Sequence, residues 1–325
     1  MMIAPTLPAE LKAALDGKLQ GFSRTDAAQR SQKISTTYRA GGGSGTIKSE
    51  ADALAYALAR MPATYAAVAA SLNALTEIAP SLAPETLLDV GAGPGTASWA
   101  AAEAFPSLQD FTLLDANPTL SRLALELARD SSRLSECRYL PGDAGGNLTE
   151  VSQADLVVAS YIIGELNEGD QRKLTEAMWA KARHALVVIE PGTPAGYARI
   201  LALRQQLIAA GAYVAAPCPH EKPCPLVAPD WCHFSQRLPR SQAHRQIKGA
   251  EVPFEDERFI YVALTRTPPT RASRVLAPPD VGKAEITAKL CTESGVELAK
   301  VARRDKAAYA AARRWRWGDA VIAES

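Results

Sequence analysis

The 325-residue chain has no apolar run long enough to cross a bilayer and no excess of charge, since 36 Lys and Arg face 35 Asp and Glu for a formal net charge of +1. The first absence excludes a helical membrane protein. The second excludes an overall basic nucleic-acid binder but leaves room for local patches. Nothing at the start reads as a secretory signal, because Met1 to Leu19 is polar and mixed in charge, and Glu10 and Asp16 argue against a transit peptide. The expectation is a cytoplasmic protein that makes no membrane contact. Five cysteines in a reducing compartment do not form a disulfide framework, and the C-x-x-C knuckles of many zinc sites are missing. An apolar fraction of 47% is that of a folded protein, and the length suffices for one sizeable core or two domains.

What is present centres on residues 86–96. Thr86 to Val90 is a short apolar run with the length of a buried strand. It ends in Asp89-Val90, breaks into Gly91-Ala92-Gly93-Pro94-Gly95, and is followed by an alanine-rich helical segment. The dinucleotide fingerprint G-x-G-x-x-G needs a third glycine where Thr96 stands, so the pattern is D-x-G-x-G-x-G instead. That form suits adenosylmethionine, with Asp89, Gly91, Gly93, Pro94 and Gly95 as its loop. Three later runs support this reading. Phe111 to Asp115 ends a second strand with an acid placed for the ribose hydroxyls. Tyr139 to Asp143 ends a third, with Asp143 placed for the adenine amino group, and Ala154 to Ser160 is the expected fourth strand.

The fold class expected is α/β, a Rossmann-like class I methyltransferase sheet, preceded by a helical domain over 1–80 and followed by a small basic C-terminal module over 267–325. The N-terminal part has a helix at 8–20. Basic residues Arg24, Arg30, Lys33 and Arg39 then lead into a flexible glycine run at 41–45, and two helices broken at Pro62 follow. Residues 81–266 alternate strand and helix, with a fifth strand over 185–190, a helix over 195–210 that carries Arg199 and Arg204, and a late antiparallel edge strand over 259–265. The Asn-Pro-Pro-Tyr-like motif of amino-group methyltransferases is absent from 161–166. The groups that strand ends would place near a reactive methyl are Ser160, Tyr161, Glu165 and Glu190.

A second constellation lies at 217–234, where Cys218, Cys224 and Cys232 fall within fifteen residues on a proline-stiffened polar loop. Free cysteines are usually small buried hydrophobes, but a polar loop is not a core. Their wide spacing suits a thiolate-held cluster with a fourth ligand from elsewhere, for which Cys291 is preferred over Cys137 because Cys137 sits on the approach to the third strand. A Cys3His zinc site completed by His220 or His233 stays open. The C-terminal module reads as a hairpin around Ser294-Gly295 and a helix over 305–317. Arg303, Arg304, Arg313, Arg314 and Arg316 are interleaved there with Tyr309, Trp315 and Trp317, a composition suited to phosphate contact and base stacking.

Taken together, the chain resembles the methyltransferase-like assembly factors of the small ribosomal subunit, a family with bacterial and mitochondrial members. The resemblance rests on Tyr38-Arg39-Ala40-Gly41-Gly42, on 88–95, on Glu190-Pro191-Gly192-Thr193-Pro194, on the cysteine loop through Asp230-Trp231-Cys232-His233-Phe234-Ser235-Gln236-Arg237, and on Lys248-Gly249 with Phe254-Glu255-Asp256-Glu257. It implies adenosylmethionine, a [4Fe-4S] cluster on Cys218, Cys224, Cys232 and Cys291, and the small ribosomal subunit or its 16S-type RNA as partner. Off the ribosome a monomer is expected. The competing readings are a non-catalytic assembly factor that uses cofactor and cluster only structurally, and a small-molecule methyltransferase with a zinc site.

Overall fold

The computed structural model describes residues 2–39, 42–142 and 146–321. Three helices come first: α1 (Ala9–Leu19), α2 (Arg24–Arg39) and α3 (Glu50–Ile78). The residues expected as a basic arm are thus largely the helix α2, and Arg30 is spent on Asp26 at 2.7 Å and Asp52 at 2.8 Å. α3 opens on a capping box, in which the Asp52 N–H donates to the Ser49 hydroxyl and the Ser49 N–H to the Asp52 carboxylate. It then runs unbroken through Pro62, where two helices were expected. An interior proline costs roughly 3 kcal/mol in a helix. Met61, Ala63, Tyr65 and the turns around them are buried, and that burial outweighs the loss.

Strand β1 (Thr86–Val90) is followed by α4 (Thr96–Ala104), β2 (Asp110–Asp115), α5 (Pro118–Ala128), β3 (Arg138–Pro141), β4 (Ala154–Ser160), α6 (Glu168–Lys181), β5 (Ala182–Pro191) and α7 (Pro194–Ala209). These five strands pair in parallel. Their apolar runs, such as Leu156, Val157 and Val158 in β4 and Leu186, Val187 and Val188 in β5, are buried because both faces are covered. The sheet is completed by β6 (Tyr213–Ala216), β7 (Phe234–Pro239) and, after α8 (Gln242–Lys248), β8 (Phe254–Thr265), in the order β3-β2-β1-β4-β5-β8-β6 with β7 also on β8. β8 runs antiparallel to β5, β6 and β7. The strand expected at the edge therefore lies inside the sheet: at 12 residues it is long enough for its two ends to take different partners.

A second sheet follows, built from β9 (Ser273–Val275), β10 (Asp280–Val281), β11 (Glu285–Thr292), β12 (Gly295–Ala302) and β13 (Ala320–Val321), with α9 (Lys306–Ala312) between the last two. The helix expected over 305–317 stops at Ala312 because the tryptophans beyond it turn inward. Trp315 packs on Val275, Ala288 and Leu290, and the Trp317 indole N–H donates to the His233 carbonyl at 3.0 Å. The helices of residues 9–78 share one core with the large sheet, α3 lying along α4, β7 and β8, while the small sheet keeps a core of its own. No described helix is long and apolar enough to cross a membrane.

Candidate functional site

The carboxyl ends of β1, β2 and β4 open under α3 into a cleft of about 180 Å3, the edge where ligands bind in open α/β sheets. Gly91, Gly93, Pro94, Asp115, Ser160, Tyr161 and Glu165 line it. Two glycines shape its floor. Gly91 has φ +69°, and an added Cβ would stand 2.1 Å from Ile162 Cδ1; Gly93 has φ +53° and open space beside it, with Leu120 Cδ1 the nearest described neighbour of an added Cβ at 3.9 Å. Gly95 serves instead as the N-cap residue of α4. Asp115 accepts the Gly93 N–H at 2.9 Å and the Asn117 N–H at 2.7 Å. Burial raises its carboxyl above the usual range, and those two hydrogen bonds oppose the rise.

Asp89 does not reach the cleft. It is fully buried, and its Oδ2 accepts from the Ser98 N–H at 3.0 Å and the Ser98 hydroxyl at 2.8 Å, so it braces the start of α4 against β1. Burial pushes it up to about 7, against the Ser98 hydrogen bonds and with a small further push from Asp115. Asp143 lies outside the described residues. Sequence reasoning missed two groups here. The Tyr139 hydroxyl donates to the Gly93 carbonyl at 2.6 Å and latches the loop, and Asn117 both caps α5 and donates to the Ser44 and Ile47 carbonyls, which ties the segment after the glycine run to the cleft rim. The Asn-Pro pair opening α5 is the signal that could have found the cap.

The four candidate catalytic groups separate. Ser160, Tyr161 and Glu165 face the cleft, and Glu190 does not. Tyr161 holds φ +60°, a left-handed conformation that costs a non-glycine residue about 1–3 kcal/mol, and donates its hydroxyl to Glu257 at 2.9 Å. Glu165 accepts from the Ser44 N–H at 3.3 Å. Glu190 is fully buried, takes Arg199 Nε at 2.7 Å and accepts the Ile163 N–H at 3.1 Å. Burial raises its carboxyl and Arg199 opposes this, an arrangement that holds the turn 163–165 in place.

A second cavity, of about 30 Å3, is lined by Cys218, Cys224, Cys232 and Cys291 together with Tyr197 and Arg204. Three of the thiols come from the segment between β6 and β7 and the fourth from β11, while Cys137 packs elsewhere against the main core. The Tyr197 hydroxyl donates to Cys224 Sγ at 3.1 Å. His220 Nε2 stands 3.9 Å from Cys291 Sγ, whereas His233 stacks on Trp231 and meets Trp317 edge-on. Burial raises the Cys218 and Cys232 thiols and pushes Cys291 up to about 12, with the neighbouring thiols adding to the effect. Arg204 opposes it at Cys218. Arg204 is 1% exposed; it donates to the His220 carbonyl at 2.5 Å, its Nε has no hydrogen-bond partner, and no carboxylate among the described residues pairs with it. A buried guanidinium with no carboxylate partner among the described residues fits a cavity whose occupant is anionic, and four deprotonated thiols around a bound group would supply that charge. Among the described residues no group of three or more His, Cys, Asp or Glu side chains is arranged to hold a single metal ion.

Around α9, Arg303, Arg304, Arg313, Arg314 and Arg316 are exposed and make no ion pair with a described residue; the Arg39 side chain is not among those described. The aromatics between them are already engaged. The Tyr309 hydroxyl donates to the Gly282 carbonyl at 2.9 Å, and Trp315 and Trp317 pack inward, so they serve the module's own folding.

A mostly parallel sheet with an internal antiparallel strand, opening at a glycine-loop cleft, defines a Rossmann-like class I methyltransferase fold. The chain belongs to the family described as mitochondrial small ribosomal subunit Rsm22, which matches residues 50–322. It is 29% identical over 292 residues to the human ribosome assembly protein METTL17, mitochondrial, covering 82% of this chain and 61% of that one. It is 23% identical over 320 residues to Rsm22-cox11 tandem protein 2, mitochondrial, of Schizosaccharomyces pombe, covering 82% of this chain and 42% of that one. The chain thus spans less than two thirds of the length of either relative. Among solved structures, magnesium protoporphyrin IX methyltransferase of Synechocystis with bound SAM is similar with a TM-score of 0.41 and 11% identity, over 71% of this chain and 90% of that one. The cytoplasmic location expected from the sequence is overturned, since the family and both relatives are described as mitochondrial.

Proposed function

We propose that this chain is an adenosylmethionine-binding, methyltransferase-like factor for the small ribosomal subunit that also holds a [4Fe-4S] cluster. The observation that carries the reading is the pairing, in one chain, of a glycine-loop cleft with a cavity lined by four thiols, three from the segment between β6 and β7 and one from β11, beside a buried Arg204 that has no carboxylate partner among the described residues. In the cleft, Asp115 takes the ribose hydroxyls, and Gly91 and Gly93 let the methionyl part lie on the backbone. Bound adenosylmethionine would supply an electrophilic methyl group, and the chain would supply mainly its alignment. Cys218, Cys224, Cys232 and Cys291 would hold the cluster, whose ligation is also folding energy because it ties the 217–234 loop to β11. The exposed arginines around α9 would contact RNA phosphates, and Arg39 would join them from α2. The ribosomal part of the reading is supported by the family description and by the name of the human relative.

A second reading, a factor that binds both groups without transferring a methyl, is favoured by one observation. The Tyr161 hydroxyl is committed to Glu257 and Glu190 to Arg199, so two of the four candidate groups are already engaged. Anaerobic purification followed by iron, sulfide and zinc analysis tests the metal part. Four irons and four sulfides per chain support it, and one zinc with no iron refutes it. Mapping ribosomal RNA methylation with and without the gene separates the two readings of the cleft.

A further inference from the structure

We propose that Arg60 on α3 is the carboxylate anchor of the cleft and binds the methionyl carboxylate of adenosylmethionine, an inference that rests on reading the cleft as an adenosylmethionine site. Arg60 is the only Lys or Arg among the described residues that line the cleft. Its side chain is 38% exposed, and it makes no hydrogen bond to a described residue. The nearest carboxylate among the described residues, Glu257, stands 3.9 Å away and already accepts the Tyr161 hydroxyl at 2.9 Å. Glu257 therefore holds the guanidinium in place while leaving its planar set of N–H donors for a ligand.

The strand order decides which part of a ligand Arg60 can meet. Asp115, at the end of β2, lies on one side of β1; Tyr161, at the end of β4, and Glu257, on β8, lie on the other. A molecule with a vicinal diol at one end and an amino-acid group at the other spans this cleft with the diol at Asp115 and the carboxylate at Arg60. Glu165 also lines the cleft. Asp115 and Glu257, carboxylates on the two sides of the cleft, favour a ligand that carries positive charge beside its carboxylate over a polyanionic phosphodiester, so the anion that fits beside Arg60 is an amino-acid carboxylate rather than an RNA phosphate. A guanidinium and a carboxylate form charge-assisted, frequently bidentate hydrogen bonds, among the strongest polar contacts a cleft can offer.

The test is calorimetry on the full chain with adenosylmethionine and with its decarboxylated analogue, using wild type, Arg60→Lys and Arg60→Met. Wild type should prefer adenosylmethionine over the analogue by about 10- to 100-fold, the range expected for a charge-assisted contact. Arg60→Met should abolish that preference while binding the analogue as wild type does, and Arg60→Lys should keep part of it. Equal affinity of wild type for the two ligands overturns the assignment and needs no variant. Equal weakening of both ligands in Arg60→Met assigns Arg60 a structural role and also overturns it. Unchanged adenosylmethionine affinity in Arg60→Met, with weaker binding of a small-subunit ribosomal RNA fragment, gives the guanidinium to a phosphate and refutes the proposal. If wild type binds neither ligand, the reading of the cleft fails together with the anchor.

Discussion

Gly93→Asp should separate folding from cofactor binding. At φ +53° any side chain pays for a left-handed conformation, about 1 kcal/mol for aspartate, which tolerates that region better than most residues. Among the described residues the added Cβ has only Leu120 Cδ1 within 4 Å, at 3.9 Å, so none of them resists it. The new carboxylate, however, projects into the cleft beside Asp115, whose Oδ2 already takes the Gly93 N–H. In the water-filled cleft of the free protein two like charges about 4 Å apart repel by only about 1 kcal/mol, but the added side chain takes the space in which the ligand would lie. Adenosylmethionine affinity should fall at least about 100-fold, or about 2.7 kcal/mol, by calorimetry, while the free energy of unfolding in urea drops by about 2 kcal/mol, the left-handed strain plus that repulsion. Gly91→Ala is the contrast. Its Cβ would stand 2.1 Å from Ile162 Cδ1 and 2.9 Å from Ile162 Cβ at φ +69°, so left-handed strain and overpacking together should cost about 3 kcal/mol of stability. A folded Gly93→Asp protein with wild-type affinity would refute the placement of the ligand, and a Gly91→Ala protein as stable as wild type would refute the packing of Ile162 on the loop.

Three further outcomes are expected. Asp89 is pushed up to about 7 in the folded chain, from about 4 when unfolded, so its contribution to stability is present below pH 4 and is lost as pH rises toward 7. Urea titrations from pH 4 to 8 should show Asp89→Asn gaining on wild type by up to about 4 kcal/mol, and parallel curves would show that Asp89 is not the group responsible. Cys291→Ser should remove iron from anaerobically purified protein and loosen the small sheet, while Cys137→Ser should leave the iron content intact; the opposite pattern would exchange their roles. Charge reversal at Arg313 and Arg314 should weaken binding to unrelated RNA sequences alike and flatten its salt dependence, and an unchanged slope in filter binding would show that α9 and its flanks are not the contact surface.

The parallel sheet was legible because its strands are continuous apolar runs that stop at acids and glycines, as in Leu87 to Gly91 and Phe111 to Asp115. In a parallel sheet those ends converge, which is why Gly91, Gly93, Pro94, Asp115, Ser160, Tyr161 and Glu165 fall around one cleft. Spacing does not say which way a strand-end carboxylate points, and so Asp89 and Glu190 could not be told apart from Asp115. Pattern also fails where packing overrides a local preference, as at Pro62 inside α3, and where a strand is longer than its apolar half, as in β8. Arg60 was hidden because it reaches the cleft from a helix far back in the chain. Arg204 carried a faint sign, a charge within the apolar stretch Ile200-Leu201-Ala202-Leu203.

The central claim is that a cofactor-loaded cleft in this chain serves the small ribosomal subunit, and it is tested most directly in cells that lack the protein. Gradient sedimentation of their ribosomes should show a deficit of mature small subunits, which wild type restores and Gly93→Asp, expressed at the same level, does not. Normal small subunits without the protein, or full rescue by Gly93→Asp with its adenosylmethionine binding shown to be lost, would contradict it.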